Sequence, residues 1–286
     1  MIELFTRQPG AFIACALVLG LLVGSFINVV AWRLPRMLER DWQAQARELL
    51  DVAPPPSGPV YNLMLPHSHC PTCQHRLRPW ENIPLLSYLA LRGKCSHCKT
   101  LISPRYPLTE LACGLLSAVI AWHFGFGAQA GWMLLLTWGL LVICLIDAAH
   151  QIVPDVLVLP LLWLGLLLNS IDTFTSLSQA VWGAALGYTC LWSVFWLFKL
   201  LTGKEGMGYG DFKLLAMLGA WGGLSILPLT IVLSSLMGAV VGLSLLGLRR
   251  AQTGTAIPFA PYLAIAGWIA LLWGGQISTF YWQLSA

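Results

Sequence analysis

Charge is what this sequence has least of. Asp, Glu, Lys and Arg make up 10% of its 286 residues, against 57% hydrophobic residues. A soluble domain carries about a quarter charged residues, so a water-soluble globular fold is excluded and the lipid bilayer is the solvent. Outer-membrane barrels are excluded too, because their alternating strands of about ten residues are half as long as the apolar runs found here. Helices remain, since they satisfy their own backbone groups in hydrocarbon.

Apolar runs broken by Gly, Pro, Asn, Ser and charge give about eight spans, near 11–31, 108–124, 130–147, 153–170, 178–199, 212–223, 227–247 and 257–275. The sixth is unusually short. A secretory signal peptide is the competing reading of 11–31, but that run is long, and its flank carries only Arg7 against Glu3. It is treated as a helix closed by Trp32 and Arg33.

Lys and Arg are unevenly placed. Residues 33–105 hold ten basic and five acidic side chains, interrupted by Pro54-Pro55-Pro56. The loops near Phe126, Asp172 and Gly222 contain no Lys or Arg. If 33–105 is cytoplasmic, so are 147–151, 199–213 and 249–255; fifteen of the 16 basic residues then lie inside, leaving Arg7 outside with both termini. The expected fold is thus an all-α polytopic membrane protein with a cytoplasmic domain between helices 1 and 2. Its expected parts are 1–32 as the first span, 33–106 as the polar domain and 107–286 as a core of about seven helices. No nucleic-acid partner is expected, and membrane lipid is; Arg33 and Arg36 suit anionic headgroups.

Two CxxC pairs lie in the polar domain, Cys70-Pro71-Thr72-Cys73 and Cys95-Ser96-His97-Cys98. Four thiolates so spaced match a tetrahedral structural Zn2+ site, whereas two disulfides would conflict with a reducing cytosol. His67, His69, His75 and His97 read as solvent-exposed neighbours. A four-cysteine site leaves no open coordination position, so it organises a domain and does not activate water. Cys15, Cys113, Cys144 and Cys190 fall in apolar spans and read as packing residues.

Ionisable residues at the rim of a span are costly and mark function. Asp147 ends the third span, and Asp211 closes Gly208-Tyr209-Gly210-Asp211 where the sixth begins. Both fall on the same membrane face at one depth. Two close carboxyls share a proton, and such a pair can activate water and protonate a leaving amine. Helix-boundary roles explain the same positions, with Asp211 as a cap. Gly206, Gly208 and Gly210 allow close approach of a substrate strand or simply a flexible loop. Asp155 and Glu110 rank second, and Asp172 lies on the opposite face.

Four segments together resemble the type IV prepilin leader peptidases, which are also N-methyltransferases. They are Gly24-Ser25-Phe26-Ile27-Asn28-Val29 with Arg33-Leu34-Pro35; the cysteine tetrad enclosing Trp80-Glu81-Asn82-Ile83-Pro84-Leu85-Leu86-Ser87-Tyr88; Ile146-Asp147 through Pro154-Asp155; and Gly208-Tyr209-Gly210-Asp211. The last element alone is shared with presenilin-like intramembrane aspartic proteases.

The resemblance implies a bacterial inner-membrane enzyme, its active site facing the cytoplasm. It would cut a basic leader from prepilins or type II secretion pseudopilins and methylate the new N-terminal residue. Asp147 and Asp211 would be the proteolytic pair, supported by Gly208 and Gly210, and S-adenosyl-L-methionine the methyl donor. No Gly-rich loop follows a strand as in a soluble Rossmann-type methyltransferase, so the methyltransferase locus is assigned to 80–88, around Glu81 and Asn82. These two can equally cap a short helix while 83–89 packs the domain onto the membrane. Rival readings are a peptidase without methyl transfer, a proton-coupled transporter and a noncatalytic assembly factor. A transporter would place its carboxyls deeper in the membrane. The oligomeric state and the choice of pilin substrate are not legible.

Overall fold

The computed structural model describes residues 5, 8–52, 60–248 and 258–285. Pro54–Pro56, Arg7 and the loop at 249–255 lie outside the described residues. Nine α-helices are described: α1 (Pro9–Leu49), α2 (Leu86–Ala90), α3 (Arg105–Phe124), α4 (Ala128–His150), α5 (Asp155–Asn169), α6 (Leu177–Thr202), α7 (Tyr209–Gly222), α8 (Leu227–Gly247) and α9 (Ala260–Ser285). Among the described residues there is no strand, only two isolated bridges.

Each of the eight expected spans falls on a helix, and six helices are long and apolar enough to cross a membrane. The chain is a multi-pass membrane protein. The others are α5, 15 residues, and α7, 14 residues. At 1.5 Å per residue these reach roughly 22 Å, short of a 30 Å hydrocarbon core.

The first helix corrects the expectation that it closes at Trp32–Arg33. It runs on to Leu49, 41 residues in all, through Pro35. Residues 37–49 are rich in Leu, Glu, Gln, Ala and Arg, which favour helix. Pro35 removes one backbone hydrogen bond without ending the helix.

The chain divides into two compact units, Met1–Val142 and Ile143–Ala286. In the first, α1 packs along α3. Its buried residues Ala16, Gly20, Gly24, Ile27 and Val30 recur every three or four positions, as do Thr109, Cys113, Ser117 and Ile120 on α3. Asn28 donates to the Tyr106 carbonyl at 3.1 Å and ties the two helices where the polar domain begins.

In the second unit α7 is the core. Every residue from Leu214 to Trp221 is buried, which explains why so short a helix is apolar on all sides. Gly183 of α6 and Gly219 of α7 meet backbone to backbone, and a Cβ on either would overlap the other helix. Small residues let membrane helices approach this closely. Asn169 closes the far end: its amide donates to the Ala220 and Trp221 carbonyls at 2.8 and 3.1 Å, and its oxygen accepts from Phe174 and Thr175 N–H. A buried helix end is thereby satisfied.

Candidate active site

The cysteine tetrad forms in the first unit from two similar turns. In one, Cys70 N–H donates to His75 O and Gln74 N–H to Cys70 O; in the other, Cys95 N–H donates to Thr100 O and Lys99 N–H to Cys95 O. Gln74 and Lys99 take φ values of 58° and 59°, which closes each turn. The sulfurs of Cys70, Cys73, Cys95 and Cys98 all lie within 4.8 Å of one another, and all four thiols are free of disulfides. The Cys70–Cys98 and Cys73–Cys95 separations are 3.7 and 3.9 Å. A tetrahedral Zn–S site with bonds of about 2.3 Å has edges of about 3.8 Å. The set therefore fits a metal ion with four soft ligands. None of the four nearby histidines joins the cluster; His67, His69 and His97 are exposed, and His75 stacks on His97.

Glu81 and Asn82, consecutive in sequence, part company in space. The Glu81 carboxylate accepts from Arg78 N–H at 2.8 Å and lies 3.5 Å from His75. Those bonds, with Arg78 first, hold its carboxyl below the usual carboxylate range. Asn82 is exposed and lines a cavity with Ser25, Arg33 and His67.

Arg33 departs from its expected place at the lipid headgroups. It is buried, and its guanidinium donates to the carbonyls of Asn62, Leu63 and Pro66. Arg36 is half-buried; its guanidinium stacks on the Trp32 ring at 3.5 Å and donates to the Trp32 carbonyl.

The aspartates lie in the second unit. Asp147 is in the last turn of α4 and Asp211 in the first turn of α7; their relative exposures are 5% and 6%. Their charges act on one another. Asp147 Oδ2 is buried with no hydrogen-bond partner among the described residues, while the Ala260 backbone amide faces the carboxyl. An unsatisfied buried carboxylate oxygen is rare and calls for a chemical explanation.

Gly208 is the N-cap of α7, and no side chain caps that end. Asp211 therefore occupies the third helical position, not the cap itself. Gly210 has a different duty from the one expected: a Cβ there would stand 2.5 Å from Val153 Cβ, so the glycine seats α7 on the segment before α5. Gly208 has open space around it. Phe195, Tyr209 and Phe212 pack ring to ring within 5.2–5.6 Å and fix the same end of α7 against α6. Asp155 pairs with Lys213 at 2.7 Å and is exposed. Glu110 belongs to the first unit, where it accepts from Leu85 N–H at 2.9 Å. Val153, Asn169 and Lys213 are contributors that motif spacing does not signal.

Two family models cover most of the chain: the bacterial peptidase A24 N-terminal domain over residues 18–124 and the type IV leader peptidase family over 134–243. The chain belongs to the type IV leader peptidase family. Its relatives in that family include a Stutzerimonas stutzeri protein, 66% identical over 99% of this chain and 98% of its own. Another is from Pseudomonas aeruginosa, 66% identical over 100% and 98%. A third, from Aeromonas salmonicida, is 52% identical over 98% and 97%. Each bears the name prepilin leader peptidase/N-methyltransferase. No solved structure matches the chain.

Proposed function

We propose that this leader peptidase family member cleaves the leader from prepilins or pseudopilins with Asp147 and Asp211, and methylates the new N-terminus. The observation that carries the reading is the burial of two aspartates at helix ends of one unit, where the charge of Asp147 reaches Asp211 and one Asp147 carboxylate oxygen has no partner among the described residues. Full-length similarity to proteins named for both activities supports the dual assignment.

Two close carboxyls share one proton. The ionised member takes a proton from water as the water oxygen attacks the scissile carbonyl, and the protonated member donates to the carbonyl oxygen. As the tetrahedral intermediate collapses, the first carboxyl passes its proton to the leaving amine, the second takes a proton back from a diol hydroxyl, and the C–N bond breaks. The cysteine tetrad offers no open ligand position and takes no part in this step. We assign Zn2+ to it, holding the polar domain together.

Methyl transfer belongs in this reading to the N-terminal part, around 80–88. S-adenosyl-L-methionine supplies an electrophilic methyl group, and the freed amine is the nucleophile. The enzyme sits in the bacterial inner membrane with the basic polar domain and the aspartates on the cytoplasmic side and both termini outside. A basic leader held inside would present its scissile bond at that rim.

The test is mass measurement of a model prepilin treated with purified enzyme. Loss of the leader without added S-adenosylmethionine, and one added methyl group with it, support the proposal. An intact leader, or a processed product that stays unmethylated, contradicts the respective half.

A further inference from the structure

Glu110 is a buried acid that the hydrolytic step does not use. A carboxyl inside a membrane span is costly and marks a function. Two contacts define this one: the Leu85 N–H donates to it at 2.9 Å, and the Ser25 hydroxyl of α1 reaches the same group. The helices behind them leave no slack, for a Cβ on Gly24 of α1 would stand 2.7 Å from Glu110 Cα on α3.

These contacts fix a depth. Gly24 lies seven residues inside the apolar run that ends at Ala31, and Glu110 two residues inside the run that begins at Leu108. At 1.5 Å per residue, Leu85 is held roughly 3–10 Å below the membrane surface. Its neighbour Pro84 and Met64 of the 62–66 loop line one cavity with Leu22 and Phe26, which lie deeper in the α1 run. Leu85 takes a φ of 58°, a left-handed conformation that a bulky side chain adopts only where its surroundings impose it.

At that depth the outward face of the segment is apolar. Ile83, Leu86 and Leu89 recur every three residues and are exposed, the last two at 65% and 70%, while Leu85 and Tyr88 between them are half-buried. Trp80 is exposed at the head of the segment, and Leu22 and Phe26 on the lipid-facing side of α1 are exposed too. No acidic residue occurs between Glu81 and Glu110, whereas Arg92, Lys94, Lys99 and Arg105 do. An apolar face with an aromatic end and a basic flank suits an element lying in the bilayer interface, where such faces sink about 5–10 Å.

We infer that residues 83–89 form an interfacial wedge: Ile83, Leu86 and Leu89 insert among the acyl chains of the leaflet nearest the polar domain, Arg92 and Lys94 meet the phosphates, and Glu110 is the anchor that holds the wedge at this depth. The polar domain is thereby seated on the bilayer as well as tethered by α1 and α3. The inference requires only that the chain spans the membrane, and it stands apart from both proposed activities.

Photolabelling from within the bilayer tests it. The full chain is reconstituted in vesicles of phosphatidylglycerol and phosphatidylethanolamine that contain a phospholipid with a diazirine on its acyl chain, irradiated, digested and mapped by mass spectrometry. Label on 83–89 should exceed that on 37–49 by about tenfold or more, because Trp42 and Leu49 are also exposed, at 49% and 86%, but lie beyond the apolar run. Glu110→Leu removes the anchor and should lower label on 83–89 severalfold while label around Leu22 and Phe26 persists; Glu110→Gln keeps an acceptor for the Leu85 N–H and should label like the wild type. Since Glu110→Leu also alters the seam between α1 and α3, the unaltered chain decides the wedge by itself. Label on 83–89 no higher than on 37–49 overturns the inference, and unchanged label in Glu110→Leu overturns the anchor. A photoreactive benzoylphenylalanine in place of Leu86 should capture phospholipid in vesicles free of pilin. Capture of a pilin's apolar segment with none of lipid assigns the face to a protein partner and overturns the wedge.

Discussion

Gly210 rests on Val153 with no room for a side chain between them: a Cβ would come 2.5 Å from Val153 Cβ and 3.0 Å from Cγ2. The contact joins residues 57 positions apart and sets Asp211 where α7 meets the segment leading from Asp147 to α5. Gly210→Ala should therefore displace α7 and cut leader cleavage by an order of magnitude or more, consistent with the sensitivity of a positioned site to shifts of about 1 Å. Gly208→Ala, which has open space, should cost far less. Val153→Gly in the Gly210→Ala background should restore part of the cleavage rate. Equal loss in both glycine variants would contradict the packing account.

Asn169 satisfies carbonyls at the buried end of α7 and two N–H groups of the following turn. Asn169→Leu orphans them all at once. A loss of about 3 kcal/mol is expected, at the upper end for stranded buried polar groups. Thermal inactivation in detergent should move to lower temperature, and an unchanged profile would refute the role given to this side chain.

Metal removal should separate the two units. Metal analysis of the purified chain should give one zinc per molecule, and Cys95→Ser should lower it sharply. Because no hydrolytic step passes through the tetrad, cleavage per folded molecule should persist in Cys95→Ser while protease resistance of residues 60–104 falls. Abolished cleavage in a folded variant would tie the metal to hydrolysis.

Asp155 was a second-rank acid by sequence, and in the fold it is exposed and paired with Lys213. Surface pairs of this kind contribute at most about 1 kcal/mol. Asp155→Asn should retain cleavage within a few fold of the wild type under single-turnover conditions. A loss as deep as that of a catalytic variant would require Asp155 in the chemistry.

Much of this was legible in the sequence, for identifiable reasons. Hydrophobic run length marked the six helices long enough to cross hydrocarbon, because such a helix must be about twenty residues long. CxxC spacing marked the tetrad, because ligand geometry is local to each turn. What escaped were relationships between distant segments. Helix α1 continues past Arg33 because helix propensity replaces hydrophobicity as its support, and a hydropathy reading sees only the latter. Arg33 looked like a headgroup contact, since its partners are loop carbonyls that any sequence supplies. Gly210 looked like a flexible loop residue until Val153 was seen against it. Glu81 and Asn82 read as one locus, yet the first caps a turn beside His75 and the second lines a cavity.

The central claim is that Asp147 and Asp211 together perform the hydrolysis, and single-turnover cleavage of a model prepilin by Asp147→Asn and Asp211→Asn tests it most directly. Each variant, purified at wild-type yield and melting temperature, should lose cleavage by at least about a thousandfold, since Asn is nearly isosteric but can neither accept nor donate the transferred proton. Cleavage within tenfold of the wild type by either folded variant would contradict the account.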